Sequence, residues 1–95
     1  MMGNNNTISI PKDFIVDEVA IFRIEINKLM ENGEKNFICD FSKCNFIDST
    51  GLGALVSIYK KCTEKGGSIK LKSLKPEVEK LFKLTRLDKV FEIYP

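Results

Sequence analysis

Apolar residues recur along this chain with two different periods, and the switching between them predicts an order of elements. Residues 7–10, Thr-Ile-Ser-Ile, alternate and stop at Pro11, which predicts a short strand that ends there or lies at a sheet edge. Over residues 13–31 the spacing changes: Ile15, Val19, Phe22, Ile26 and Leu29 fall at steps of three and four, one face of an amphipathic helix. Asp13 or Asp17 is placed to cap its start, and Asn32-Gly33 offers a left-handed exit. Residues 37–41 are apolar except for Asp40, the pattern of a central strand covered on both faces. A polar turn over residues 42–45 leads to the apolar pair Phe46-Ile47 and then to a second helix. That helix carries Leu52, Leu55, Val56, Tyr59 and Cys62 on one stripe, turns Lys60, Lys61 and Glu64 to solvent, and ends at Gly66-Gly67. Residues 68–73 alternate again, with Lys70 and Lys72 outward as on a strand with one wet face and a guarded edge. Pro76 suits the first turn of a third helix with the stripe Val78, Leu81, Phe82 and Thr85, and a last strand follows around residues 91–94.

Strands alternating with helices predict an α/β domain with a mixed, mostly parallel sheet of about four strands and helices packed on it. Residues 1–6 are polar, Asn-rich and aperiodic, a disordered tail by composition, so the single domain is expected over residues 7–95. The chain has 95 residues, 43% of them apolar and 29% charged, the make-up of an ordinary globule large enough to bury one core. Its formal charge of +2 is too small to argue for direct nucleic-acid binding. There is no apolar run of membrane-spanning length and no signal-peptide pattern at the start, so a cytoplasmic location without membrane contact is expected.

The candidate chemistry is narrow. Cys39, Cys44 and Cys62 form no Cys-x-x-Cys pair and read as small core residues of a reducing compartment. With no histidine in the chain, zinc lacks its usual ligand pattern and a hydrolase reading of Ser49 lacks its commonest general base. Asp40 and Asp48 are poor substitutes, and nothing in the sequence implies a metal or a cofactor. Gly51 and Gly53 do not complete a dinucleotide-binding Gly-x-Gly-x-x-Gly and instead suit close backbone approach, within the fold or to a partner. The feature that stands out is Asp48-Ser49-Thr50 at the start of the second helix. Three consecutive side chains can each cap a helix that needs one cap, so two are spare. A spare hydroxyl at a helix N-terminus is a place where phosphate is tolerated, because free N–H groups and the helix dipole favour an anion there.

Four segments together resemble a known family: Asp40-Phe41-Ser42; Phe46-Ile47-Asp48-Ser49-Thr50-Gly51-Leu52-Gly53-Ala54-Leu55; Lys65-Gly66-Gly67; and Leu84-Thr85-Arg86-Leu87-Asp88-Lys89-Val90-Phe91. In order and spacing they look like the STAS-domain anti-sigma-factor antagonists. That resemblance implies a bacterial partner-switching protein. The unphosphorylated form binds an anti-sigma factor that is itself a serine kinase and frees a sigma factor; phosphorylation of the serine after the motif aspartate ends the binding, and a serine phosphatase restores it. Carried onto this sequence, the phosphorylated residue is Ser49, and the partner-binding stretch is Asp48, Ser49, Thr50, Gly51, Leu52 and Gly53. Helical phase leaves Leu52 between core and surface, so partial burial is expected.

Two departures from the family pattern carry expectations of their own. The family opens with two strands and a glycine-containing turn before its first helix, where this chain has only residues 7–10 and then Pro11-Lys12-Asp13-Phe14. The family often has glycine where this chain has Arg86, so the third helix is expected to end differently. The competing functional reading is an adaptor or scaffold subunit of the same fold, in a signalling or lipid-transport complex, that works without phosphorylation. A short edge strand would permit a homodimer without requiring one.

Overall fold

The computed structural model describes residues 6–95. In chain order the elements are β1 (Asn6–Ser9), β2 (Asp13–Phe14), α1 (Val16–Glu31), β3 (Asn36–Asp40), β4 (Phe46–Ile47), α2 (Ser49–Glu64), β5 (Ser68–Lys72), α3 (Pro76–Leu84), a 3-10 turn (Leu87–Lys89) and β6 (Glu92–Tyr94). Residues 1–5 of the expected tail lie outside the described residues, whereas Asn6, grouped with the tail by composition, opens β1 opposite Phe37.

Four strands form a parallel sheet in the order β1-β3-β5-β6, and β2 pairs with β4 in a separate parallel ribbon of two residues each. The strand order never reverses. Parallel crossovers are right-handed, so stepping always in one direction lays the three connecting helices on the same face of the sheet. The burial of the strands agrees: Ile8, Phe37, Cys39, Ile69 and Leu71 are buried, while Asn36, Ile38, Asp40, Ser68, Lys70 and Lys72 between them are only half-buried. This corrects the expectation that residues 37–41 are covered on both faces. β5, whose lysines suggested an edge, is interior to the sheet; Lys70 and Lys72 mark its open face, and β1 and β6 are the edges.

The helices meet the sheet through narrower stripes than the sequence spacing alone suggested. α1 buries Val19, Phe22, Ile26 and Met30 but leaves Ile15 exposed, because the chain is still extended there: Ile15 is the N-cap, at φ −126° and ψ −176°. Neither Asp13 nor Asp17 caps this helix. Asp13 lies in β2, a strand the sequence reading did not resolve, and Asp17 sits with Glu18 in the first turn, where both carboxylates favour the helix dipole. α2 is rotated from its predicted phase, burying Gly51, Ala54, Leu55, Ile58 and Cys62, with Leu52, Val56 and Tyr59 packed half-buried beside them. Edge-to-face contacts join the core across elements, among them Phe14–Phe22 at 5.1 Å and Phe41–Phe82 at 6.0 Å between ring centroids.

Two glycines are dictated by geometry. Gly33 leaves α1 at φ +94°, and Gly67 leaves no room for a side chain, since a Cβ there would lie 2.0 Å from the Lys35 carbonyl oxygen. The exit of α3 differs from expectation in the opposite sense. Arg86 adopts the left-handed conformation itself, at φ 62° and ψ 15°. The turn is held by the Thr85 hydroxyl, which donates to the carbonyls of Leu81 (2.9 Å) and Phe82 (3.1 Å), and by Arg86 N–H, which donates to Lys83 (3.1 Å). The helix therefore ends as a glycine would end it, with a strained arginine. A left-handed non-glycine residue costs about 1–2 kcal/mol, partly offset by the greater unfolded-state freedom of glycine. Arg86→Gly is expected to raise unfolding stability by about 0.5–1 kcal/mol, read as a higher urea midpoint at unchanged slope.

Candidate functional site at the start of α2

The β2–β4 ribbon sets the site. Its register aligns Asp13 with Phe46 and Phe14 with Ile47, and both strands run directly into helices. The next residue on each side is an extended N-cap: Ile15 before α1, and Asp48 before α2 at φ −105° and ψ −175°. Val16 and Ser49 are then the first residues of their helices, so two helix N-termini leave the ribbon side by side and in register.

Within Asp48-Ser49-Thr50 the capping role falls to Asp48 alone. Its Oδ1 accepts a hydrogen bond from Gly51 N–H at 3.0 Å, and its carbonyl accepts from Leu52 N–H at 3.1 Å. Ser49 occupies the first helical position instead of the cap, and both Ser49 and Thr50 are exposed. Among the described residues, neither hydroxyl takes a hydrogen bond. The first turn of α2 carries no acidic side chain, in contrast to α1 with Asp17 and Glu18. Asp48 thus caps the positive end of α2, and the exposed hydroxyls beside that cap are those of Ser49 and Thr50.

The two glycines of the motif play opposite parts. Gly51 is buried, and a Cβ there would lie 2.8 Å from Phe14 O, Phe14 Cδ2 and Ile47 Cγ1, so this glycine lets α2 press against the ribbon. Gly53 has nothing within 4 Å of its would-be Cβ and is exposed, one helical turn from Ser49 on the same outward face. Leu52 is half-buried and packed against the core, as expected. The predicted stretch therefore splits into an inward member, Gly51, and an outward set of Ser49, Thr50 and Gly53, with Asp48 and Leu52 between.

Candidate acid–base partners for Ser49 are committed elsewhere. Asp48 is engaged by Gly51 N–H, and Asp40 accepts from Ser42 N–H at 2.9 Å, a hydrogen bond that holds its carboxyl below the ordinary carboxylate range, helped by Lys72 and Lys43. The three cysteines are free and buried. Burial pushes the Cys39 thiol up to about 12 and the Cys62 thiol up to about 11, and raises Cys44, so all three stay protonated and unreactive at neutral pH. No three His, Cys, Asp or Glu residues cluster as metal ligands among the described residues.

Compared with known proteins, the sequence matches the STAS domain family over residues 3–95. The chain belongs to that family. It is 31% identical over 90 residues to the anti-sigma-B factor antagonist of Bacillus subtilis (strain 168), covering 95% of this chain and 82% of that one. The solved structure of the anti-sigma factor antagonist SpoIIAA in its unphosphorylated form gives a TM-score of 0.82 at 21% identity, over 98% of this chain and 84% of that one. SpoIIAA of Bacillus in the phosphorylated form gives 0.75 at 21% identity, over 98% and 86%. Both forms share the fold of this STAS domain. No helix among its described residues is long and apolar enough to cross a membrane.

Two exposed apolar residues beside the site were not singled out by the sequence pattern. Val16 lies off the periodic stripe of α1, and Phe46, though it opens the motif segment, was read as a strand residue and not as an exposed one. For Val16 the available signal was an unbroken apolar run, Phe14-Ile15-Val16, reaching into a helix start where polar residues usually stand.

The glycines give a stability test. Gly51→Ala is expected to cost about 1–3 kcal/mol through overpacking against Phe14. Gly53→Ala should gain up to about 1 kcal/mol, since alanine is the better helix former and has room. Urea denaturation of both variants checks the pair, and equal effects would contradict the inward and outward assignment.

Proposed function

We propose that this STAS domain is an anti-sigma-factor antagonist controlled at Ser49. Its unphosphorylated form binds an anti-sigma factor serine kinase and so releases a sigma factor in the cytoplasm; phosphorylation of Ser49 ends that binding, and a serine phosphatase restores it. The domain acts by binding and not as an enzyme. The observation that carries this reading is the division of labour at the start of α2: Asp48 supplies the cap, and Ser49 is left exposed and unbonded at the first helical position.

The chemistry belongs to the kinase. The Ser49 oxygen attacks the terminal phosphorus of a nucleoside triphosphate, a new O–P bond forms, the hydroxyl proton goes to solvent or a kinase base, and the nucleoside diphosphate leaves. The product carries about −1.5 to −2 charge at neutral pH. The N–H groups at the start of α2 tolerate it, with no refolding required. Beside the Asp48 carboxylate, however, it builds a cluster of negative charge on the surface the partner must cover. Desolvating that charge would cost several kcal/mol, and a loss of about 3 kcal/mol already weakens binding more than a hundredfold.

The test is titration calorimetry with the anti-sigma factor kinase of the same genome. Ser49→Ala is expected to bind, and Ser49→Asp to bind at least a hundredfold more weakly. Gly53→Ala should weaken binding despite its greater stability, because the added methyl stands on the face a partner approaches. Equal binding by Ser49→Ala and Ser49→Asp would replace the switch with the phosphorylation-independent adaptor.

A further inference from the structure

We infer that the outer face of α1 pairs this chain with a second copy of itself, the two α1 helices lying antiparallel along the stripe Asp17, Ile21, Ile24 and Lys28. This pairing does not depend on the switch at Ser49. α1 buries Val19, Phe22, Ile26 and Met30 against the rest of the domain. Helical phase puts the stripe directly opposite those residues, and all four of its members are exposed. Ile21 and Ile24 stand out there, at 61% and 58% exposure. The outer face of a surface helix is ordinarily polar, and helix propensity gives no reason for isoleucine on it.

The relief of the face joins these residues. One hollow of about 370 Å³ is lined by Ile21, Ile24, Glu25 and Lys28, and a second, of about 170 Å³, runs from Ile21 to Pro11 and Phe22. Ile21 borders both, a ridge between grooves of the kind that interlocking helices use. The steps along the stripe are four, three and four, the spacing of a coiled-coil seam, so a second helix can follow it along its length.

The order of charges selects the occupant and its direction. The stripe is acidic at one end, apolar in the middle and basic at the other, so it complements its own reverse. In an antiparallel pair that sets Ile21 against Ile24 of the second copy, the same register sets Asp17 against Lys28 of the second copy, and the twofold axis repeats both contacts. A parallel pair would instead oppose Asp17 to Asp17 and Lys28 to Lys28. Glu31 extends the stripe to the level of the second copy's α1 start, where the helix dipole favours a carboxylate, and Glu18 and Glu25 stand at one rim, in water. Because α1 and α2 start side by side on the β2–β4 ribbon, the pair carries its two Ser49 residues at opposite ends. The contact is a single helix face, so the dimer is weak and concentration-dependent.

Sedimentation equilibrium of the full chain is the test. The parent's apparent mass should climb with concentration from 10.8 kDa toward twice that value. Ile24→Asp should raise the dissociation constant at least tenfold while the urea midpoint stays close to the parent's, whereas Val16→Asp, at an equally exposed position off the stripe, should leave it unchanged. Lys28→Asp should weaken the dimer, and adding Asp17→Lys should restore it. The double variant sets both charges against the helix dipole, so it is the less stable chain, and recovered association cannot come from better folding. A parent chain that stays monomeric up to about 1 mM overturns the pairing. So does a dimer indifferent to Ile24→Asp, which another surface must hold, and so does a double variant no tighter than Lys28→Asp, which breaks the antiparallel register. None of these outcomes bears on Ser49.

Discussion

The contact on which the site depends is the close approach of Gly51 to Phe14. A hydrogen in place of a side chain lets the first turn of α2 sit against the Phe14 carbonyl and ring, with Ile47 on the other side. That contact fixes the rotation of α2 about its axis. Once Gly51 faces inward, Ala54, Leu55, Ile58 and Cys62 follow it into the core by helical spacing, and Ser49 and Gly53 are turned outward. The two-residue ribbon of β2 and β4 does the complementary work of bringing two helix starts level. Neither element is large, yet together they leave the Ser49 and Thr50 side chains exposed at the start of α2.

A second constraint comes from topology. Because the strand order runs in one direction only, the sheet has no point where successive crossovers diverge to opposite faces, the crevice in which doubly wound α/β domains hold nucleotides. The open face instead carries Thr7, Ile38, Lys70 and Glu92 in one row and Ser9, Asp40, Lys72 and Tyr94 in the next. The placement of Ser49 on a rigid helix start, with its neighbours locked in the core, suits control of docking by charge.

Much of this was legible in the sequence where periodicity and motif agreed. The α/β alternation, the helix exit at Gly33 and the half-buried state of Leu52 follow from spacing and turn chemistry. The helix start at Asp48-Ser49-Thr50 follows from an excess of capping side chains, though spacing could not say which of the three would cap. What escaped was set by tertiary contacts. β2 is too short to show a period and exists only through β4. Ile15 fell on the helical stripe but lies in extended chain. The phase of α2 followed from Gly51, a residue with no hydrophobicity to register. Lys70 and Lys72 indicated a wet face correctly, but an edge and an open face leave the same alternation in sequence. Arg86 was a case of propensity overruled, since the carbonyl bonds from Thr85 hold a conformation that arginine alone disfavours.

The central claim is that Ser49 is the phosphorylated residue, and intact-mass analysis with site mapping on the protein recovered from its own cells, with phosphatases inhibited, tests it most directly. Phosphorylation at Ser49 predicts a population heavier by about 80 Da, the mass of one phosphoryl group, with the added mass confined to Ser49. A chain that stays unmodified under every growth condition tested, or that carries its phosphate at Thr50 or elsewhere, would contradict it.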